Sequence, residues 1–211
     1  MRIAAGLHPH NAKHWGPEIE ERLRALLHDK RTSCLGEIGL DYHYDLSPRE
    51  DQERAFRAQV RIAKEAGLPV MLHVREAHDD ALAIMRDEGW PEAGCILHCF
   101  TSDWETLEPW IEAGCSATFG GALTFNNGDA IRDAAARVPE MQLMVETDSP
   151  YMAPKPLRGE VCEPAMVVFT ESALADVRGA EGEERLALFR RVLTNAESML
   201  NRPPTAWQLG K

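Results

Sequence analysis

The sequence predicts an α/β fold built from repeated βα units, with a parallel sheet or barrel at its centre. Two observations carry this expectation. Short apolar runs with β character alternate along the chain with longer stretches of helical period. Polar residues of metal-binding type also stand at or just past the C-terminal ends of four of those runs, where the loops of parallel (β/α) sheets and barrels build their sites.

Six strands are expected, at approximately 3–7, 33–38, 69–73, 95–98, 116–119 and 142–146. Each is too brief and too rich in β-formers for a buried helix, and helices fill the gaps. Ser47, with Pro48 next and Glu50 three residues on, predicts a capping box, and so does Ser102 with Glu105. Gly67 and Gly114 fall just past the two helices so begun and just before a strand, where a left-handed residue is wanted. After the sixth strand the pattern changes: 164–177 and 183–200 are both helical with no strand between them, so the sheet ends near Glu146. The segment 147–164 holds four prolines and Gly159 and is a loop that follows a strand. No repeat, low-complexity tract or long linker divides residues 1–211, which are expected to form a single domain.

With 44% hydrophobic and 27% charged residues, 211 residues suffice for one soluble globular domain with a sizeable core. Five cysteines, an odd number with no Cys-x-x-Cys pair, point away from a disulfide framework and a structural zinc site. No apolar run approaches the roughly 20 residues that span a bilayer, and no leader segment is evident. The expected location is therefore the cytoplasm, away from membranes. A formal net charge of −11, from 34 acidic and 23 basic residues, argues against a general electrostatic clamp on duplex nucleic acid. A polyanion must bind locally, where divalent metal ions can reverse the field of a carboxylate-lined pocket.

Glu37, His73, His98 and Asp148 are the four strand-end residues. One such residue alone is more often hydrogen-bonded or solvated than a ligand. Two imidazoles and two carboxylates at equivalent positions of a parallel sheet point instead to zinc, manganese, iron or magnesium. A carboxylate can bridge two such ions about 3.5–4 Å apart in a hydrolytic site. Around this set, Arg75 shares a face with His73 and could hold a phosphate bidentately. His8 and His10 could contact substrate phosphate or a metal-bound water, or equally serve as capping or solvated groups. Asp41 and Tyr42 could line the same pocket, and Glu146 could orient a ligand or serve as a buried structural carboxylate. Trp90, Trp104 and Trp110 stand near helix ends and are read as packing residues. Cys99 is read as a packed thiol, because no base or helix N-terminus is aimed at it.

Five motifs in order resemble the signatures of the TatD family of metal-dependent deoxyribonucleases. They are Gly6-Leu7-His8-Pro9-His10, Gly36-Glu37-Ile38-Gly39-Leu40-Asp41-Tyr42, Leu72-His73-Val74-Arg75-Glu76-Ala77, His98-Cys99-Phe100-Thr101 and Glu146-Thr147-Asp148-Ser149-Pro150-Tyr151. Thr194-Asn195 resembles the closing element, so the resemblance covers the whole chain. It implies a (β/α)8 TIM barrel of the metal-dependent hydrolase superfamily and 3′ exonuclease action on single-stranded DNA, with one or two Mg, Mn or Zn ions per chain. By the family pattern Glu37 resembles the metal-bridging carboxylate, and His73 and His98 resemble ligands of one metal. Asp148 resembles the ligand of the other metal and the catalytic residue that orients or deprotonates the attacking water.

Two departures stand out. Family members usually begin with a strand carrying His-x-His, and none precedes Ile3, so the barrel is expected to be truncated to six strands. An eight-unit barrel of about 250 residues spends roughly 31 per unit, and losing two leaves about 190 plus terminal helices. Cys162 also stands before Glu163-Pro164 where relatives usually carry Asn. Two rival functions share the constellation: a metal-dependent ester or amide hydrolase such as an aminoacyl-tRNA deacylase, and a degenerate, non-catalytic barrel.

Overall fold

A computed structural model describes residues 1–210. By its internal contacts the chain divides into two compact units, one of Met1–Leu97 with the segment from Ser198 on, the other of His98–Glu197.

The first unit runs β1 (Ile3–Ala5), α1 (Pro17–Leu27), β2 (Thr32–Asp41), α2 (Arg49–Ala66), β3 (Val70–Arg75), α3 (His78–Glu88) and β4 (Cys95–Leu97). The strands lie in the order β1-β2-β3-β4 and pair in parallel, as βα alternation requires. Leu35, Ile38, Leu40, Val70, Leu72 and Ile96 are all fully buried, the continuous burial of a parallel sheet covered on both faces. Gly39 is in register with His73 and Asp41 with Arg75, and the β2–β3 ladder is irregular between Leu35 and Ile38. Glu37 lies in that irregular stretch.

α2 ends as expected, with Gly67 left-handed at φ 65°. Its start differs: Pro48 occupies the cap position without a side-chain bond. The Ser47 hydroxyl is used elsewhere, donating to His10 O at 2.9 Å and accepting from Lys13 N at 3.1 Å. Those backbone groups belong to the 3-10 helix Pro9–His14, and pairing them takes the hydroxyl from α2. Arg61 and Arg57 of α2 clasp Glu88 of α3, whose side chain is 8% exposed. The C-terminal segment is fastened by buried Gln208, whose Nε2 donates to Leu27 O, Asp29 O and Thr32 O at 2.9–3.1 Å.

The second unit contains α4 (Trp104–Glu112), β5 (Ser116–Phe119), α5 (Asp129–Arg137), β6 (Leu143–Val145), α6 (Val167–Val177) and α7 (Gly182–Leu200). β5 and β6 pair in parallel, Thr118 opposite Met144. β5 has the bounds expected from sequence, whereas β6 starts later because Glu140–Gln142 form a 3-10 turn. Asp103, not Ser102, caps α4, its Oδ1 accepting from Thr106 N at 3.0 Å. Trp110 and Phe119 are fully buried. Asn195 of α7 donates to Glu140 O and Leu143 O, tying the closing Thr-Asn element to the entry of β6. Among the described residues no strand follows β6, and no helix is long and apolar enough to cross a membrane.

Candidate metal centre

In the first unit, site side chains come from the loop after β1 and from the C-terminal halves of β2 and β3. His8 caps the 3-10 turn with its own ring, Nδ1 accepting from His10 N at 3.2 Å. An accepting ring nitrogen carries no proton, so the hydrogen of the neutral ring sits on Nε2. That atom is 3.7 Å from Glu37 Oε2.

Asp41 organises the rest. Its side chain is fully buried, and its Oδ2 lies 2.9 Å from His10 Nε2 and 2.9 Å from His73 Nε2. Its Oδ1 accepts from the backbone of His43 at 3.1 Å and Tyr44 at 2.8 Å. Burial pushes this carboxyl upward, but the Tyr44 N–H and then the His10 and His73 rings outweigh it and hold it at about 2. An ionised carboxylate only accepts, so both imidazoles donate from Nε2 and carry their lone pairs on Nδ1.

The three histidine rings pack together, with centroids 4.3 Å apart for His8 and His10 and 4.4 Å for His8 and His73. One nitrogen from each lies within 4.8 Å of the other two, close enough to hold a metal ion together. The sequence left His8 and His10 between phosphate, a metal-bound water and a capping role; the fold makes His8 a cap and brings both within metal-binding reach of His73. Gly39 makes the approach possible. Its φ is +138°, and a Cβ there would stand 2.1 Å from His73 O. Arg75 is exposed, with its guanidinium 4.8 Å from the Tyr44 ring centre. Tyr42 is engaged by the surrounding helices, donating to Asp80 at 3.1 Å beneath the Arg49 guanidinium.

In the second unit His98 opens the loop before α4. Its Nδ1 donates to Glu146 Oε2 at 2.7 Å, and Thr118 Oγ1 donates to the same oxygen at 2.6 Å. Thr118 in turn accepts from Cys99 N at 2.9 Å, while the Cys99 thiol lies 3.8 Å from Met152 Sδ. This carboxylate–imidazole pairing puts the His98 lone pair on Nε2, 3.7 Å from Asp148 Oδ1. The gap is too long for a hydrogen bond, and an imidazole nitrogen beside a carboxylate oxygen is a donor pair that would hold a divalent ion. Glu146 Oε1 is buried with no hydrogen-bond partner among the described residues, an acceptor that suits a neighbouring cation or its water. Imidazole nitrogens with carboxylate oxygens suit zinc, manganese or magnesium.

The first unit therefore holds two histidines, His10 and His73, and the second holds one, His98, whose tautomers are set by carboxylates. Asp41 as the shared acceptor, and Thr118 as the link to Glu146, were not legible as such from the sequence. Their one signal was a polar side chain on a strand that is otherwise buried.

A family model described as TatD related DNase matches residues 1–201. The uncharacterized metal-dependent hydrolase YcfH of Escherichia coli strain K12 is 41% identical over 182 residues, 86% of this chain and 68% of that protein. The 3′-5′ ssDNA/RNA exonuclease TatD of Pantoea vagans is 36% identical over 202 residues, 92% of this chain and 76% of that protein. The crystal structure of YJJV, a TATD homolog from Escherichia coli K12, superimposes with a TM-score of 0.87 at 27% identity, covering 96% of this chain and 77% of that one. With the family model spanning nearly all of its length and the fold matching a TATD homolog, this chain belongs to the TatD related DNase family.

Proposed function

We propose that this chain is a metal-dependent phosphodiesterase that removes nucleotides from the 3′ ends of single-stranded nucleic acid, with DNA as the preferred substrate. The observation that carries the reading is the pair of carboxylate-oriented histidines, His73 on Asp41 and His98 on Glu146. Each has one ring nitrogen fixed as a donor and the other left with its lone pair, as a metal ligand requires. TatD-type exonucleases among the relatives supply the substrate class.

Within the first unit Glu37 and His73 would serve as metal ligands, and within the second unit His98 and Asp148 would do so. Near His73, His10 adds a ring lone pair that can serve a metal, and His8 adds an N–H that can serve phosphate. One or two Mg, Mn or Zn ions per chain, when bound, supply Lewis-acid activation of water and offset charge building on the phosphate. Asp148 positions the attacking water and accepts its proton. Arg75, at the rim, holds a phosphate oxygen through its guanidinium. Cys34, Cys115 and Cys162 stand outside any disulfide, which suits a reducing cytoplasm.

Nucleotide release from 5′-labelled single-stranded and duplex DNA, with added magnesium, manganese or zinc, tests this beside Asp148→Ala. Metal-dependent shortening from the 3′ end of single strands, lost in the variant, is the expected result. Metal binding without shortening of any nucleic acid, together with cleavage of aminoacyl esters or amides, replaces the nuclease reading with the ester or amide hydrolase one.

A further inference from the structure

At the N-terminal ends of β2 and β3, the first unit has two adjoining cavities of about 330 and 680 Å³ that share Gly67, Leu68 and Arg202 in their walls. Both fall within the roughly 300–1,000 Å³ of small-molecule sites. Ser33, on the smaller cavity, lies four residues before Glu37 on β2, roughly 13 Å back along the strand at about 3.3 Å per residue. These cavities are therefore remote from the metal-site side chains of their own unit. Arg202 also lies beyond the residues that the family model matches.

The smaller cavity presents two polar groups with bonding capacity to spare. Ser33 is only 6% exposed and lines the cavity, and its hydroxyl has no hydrogen-bond partner among the described residues. Arg202 is half-buried, and of its five guanidinium N–H groups only one at NH1 is engaged among the described residues, donating to Ala93 O at 2.8 Å. The walls are held in place by Gln208, which fastens Thr32 and the C-terminal segment, and by Thr205, whose N donates to Gln208 Oε1 at 3.0 Å. In the larger cavity Arg202 and Lys64 oppose a single carboxylate, Glu92, a locally cationic lining in a chain of net charge −11. Half-buried Trp90 supplies an aromatic wall there, and Pro91 and Leu68 supply apolar ones.

We infer that these cavities form a binding site for a nucleoside monophosphate, its phosphate on Arg202 and Ser33 and its base against Trp90. A guanidinium fork with a buried hydroxyl matches the oxygens of one phosphate. An indole face accepts a base by stacking whatever the base's identity. The two cavities have the volume of a small-molecule site, which matches a mononucleotide. A nucleoside monophosphate is also the product class of the proposed exonuclease, but the site is argued from its own walls and stands or falls without that activity.

The test is a two-dimensional NMR titration of the intact protein in magnesium with dAMP, deoxyadenosine and inorganic phosphate in separate arms. Saturable shifts of the Gly67 and Leu68 amides and the Trp90 indole N–H with dAMP, at least tenfold tighter than with either fragment, are expected. Arg202→Gln weakens that binding tenfold or more, Ser33→Ala weakens it severalfold, and Arg202→Lys, which keeps the charge but loses the fork, falls between. Should Arg202→Gln not fold, Ser33→Ala and Arg202→Lys decide the matter. The inference is overturned by shifts confined to His8, Glu37, His73 and His98, by phosphate alone saturating the site as tightly as dAMP, or by affinities unchanged in the folded variants.

Discussion

The Nε2 of His73 donates to Asp41 Oδ2 at 2.9 Å, and His10 donates to the same oxygen at the same distance. One fully buried carboxylate thus sets the tautomers of two histidines. Asp41→Asn offers an amide that can present N–H where the rings now donate, which favours the opposite tautomer. The expected outcome is a 10- to 100-fold loss of metal affinity, the range usual for partners of ligating histidines. Calorimetric titration of manganese into metal-free wild type and variant measures it, and equal affinities would remove Asp41 from this role.

Thr118 links Cys99 N to Glu146, and Glu146 to His98. Thr118→Val keeps the shape but leaves the Cys99 N–H without its Thr118 acceptor and Glu146 with one donor fewer, His98 remaining on the same oxygen. A loss of about 1–3 kcal/mol in stability is expected from urea unfolding. Glu146→Gln keeps an acceptor for His98 but removes its charge, so metal binding should weaken by more than stability does. A Gln variant with unchanged metal affinity would restrict Glu146 to a structural part.

Gly39→Ala places a methyl where His73 O already stands, at a φ that side chains rarely adopt. Both effects destabilise, together by about 2 kcal/mol or more. The local shift falls on the strand carrying His73, so metal affinity should drop with stability. Denaturant midpoints and metal titration together check this, and a variant as stable as wild type would mean that the two strands part at little cost.

Glu88 is held below the usual carboxylate range by its bond with Arg61 and, beyond burial's opposing effect, by Arg57. A lowered folded value means that its contribution is fully present above the unfolded value of about 4.3, and is lost as pH falls through the folded one. Glu88→Gln should therefore destabilise by about 1 kcal/mol near neutrality, a modest figure because Arg61 is mostly solvent-exposed. The difference from wild type should shrink below pH 4. Thermal melts from pH 7 to pH 3 measure it, and a difference independent of pH would assign the effect to packing.

Much of this protein was legible in its residues taken in order. The six β-rich runs, the glycine at position 67 and the two closing helices rest on period, propensity and backbone sterics, which act over a few neighbours. They were therefore readable without the fold, as was the place of His98 just past a strand, whereas Glu37 and His73 lie inside β2 and β3 rather than at their ends. Helix starts were less so. Ser47 has the right neighbours for a cap, yet its hydroxyl pairs with His10 and Lys13, which no local pattern announces.

What only the tertiary structure decided is which polar groups meet. Asp41 stands 31 residues from His10 and 32 from His73, and Thr118 stands 28 from Glu146. The packing of His8 and His10 on His73, and of Arg202 near Ser33, likewise depends on strand register and on how the C-terminal segment docks. The physical reason is range. Backbone preferences are set by adjacent residues, whereas the protonated nitrogen of a histidine is set by whichever acceptor the fold brings within about 3 Å.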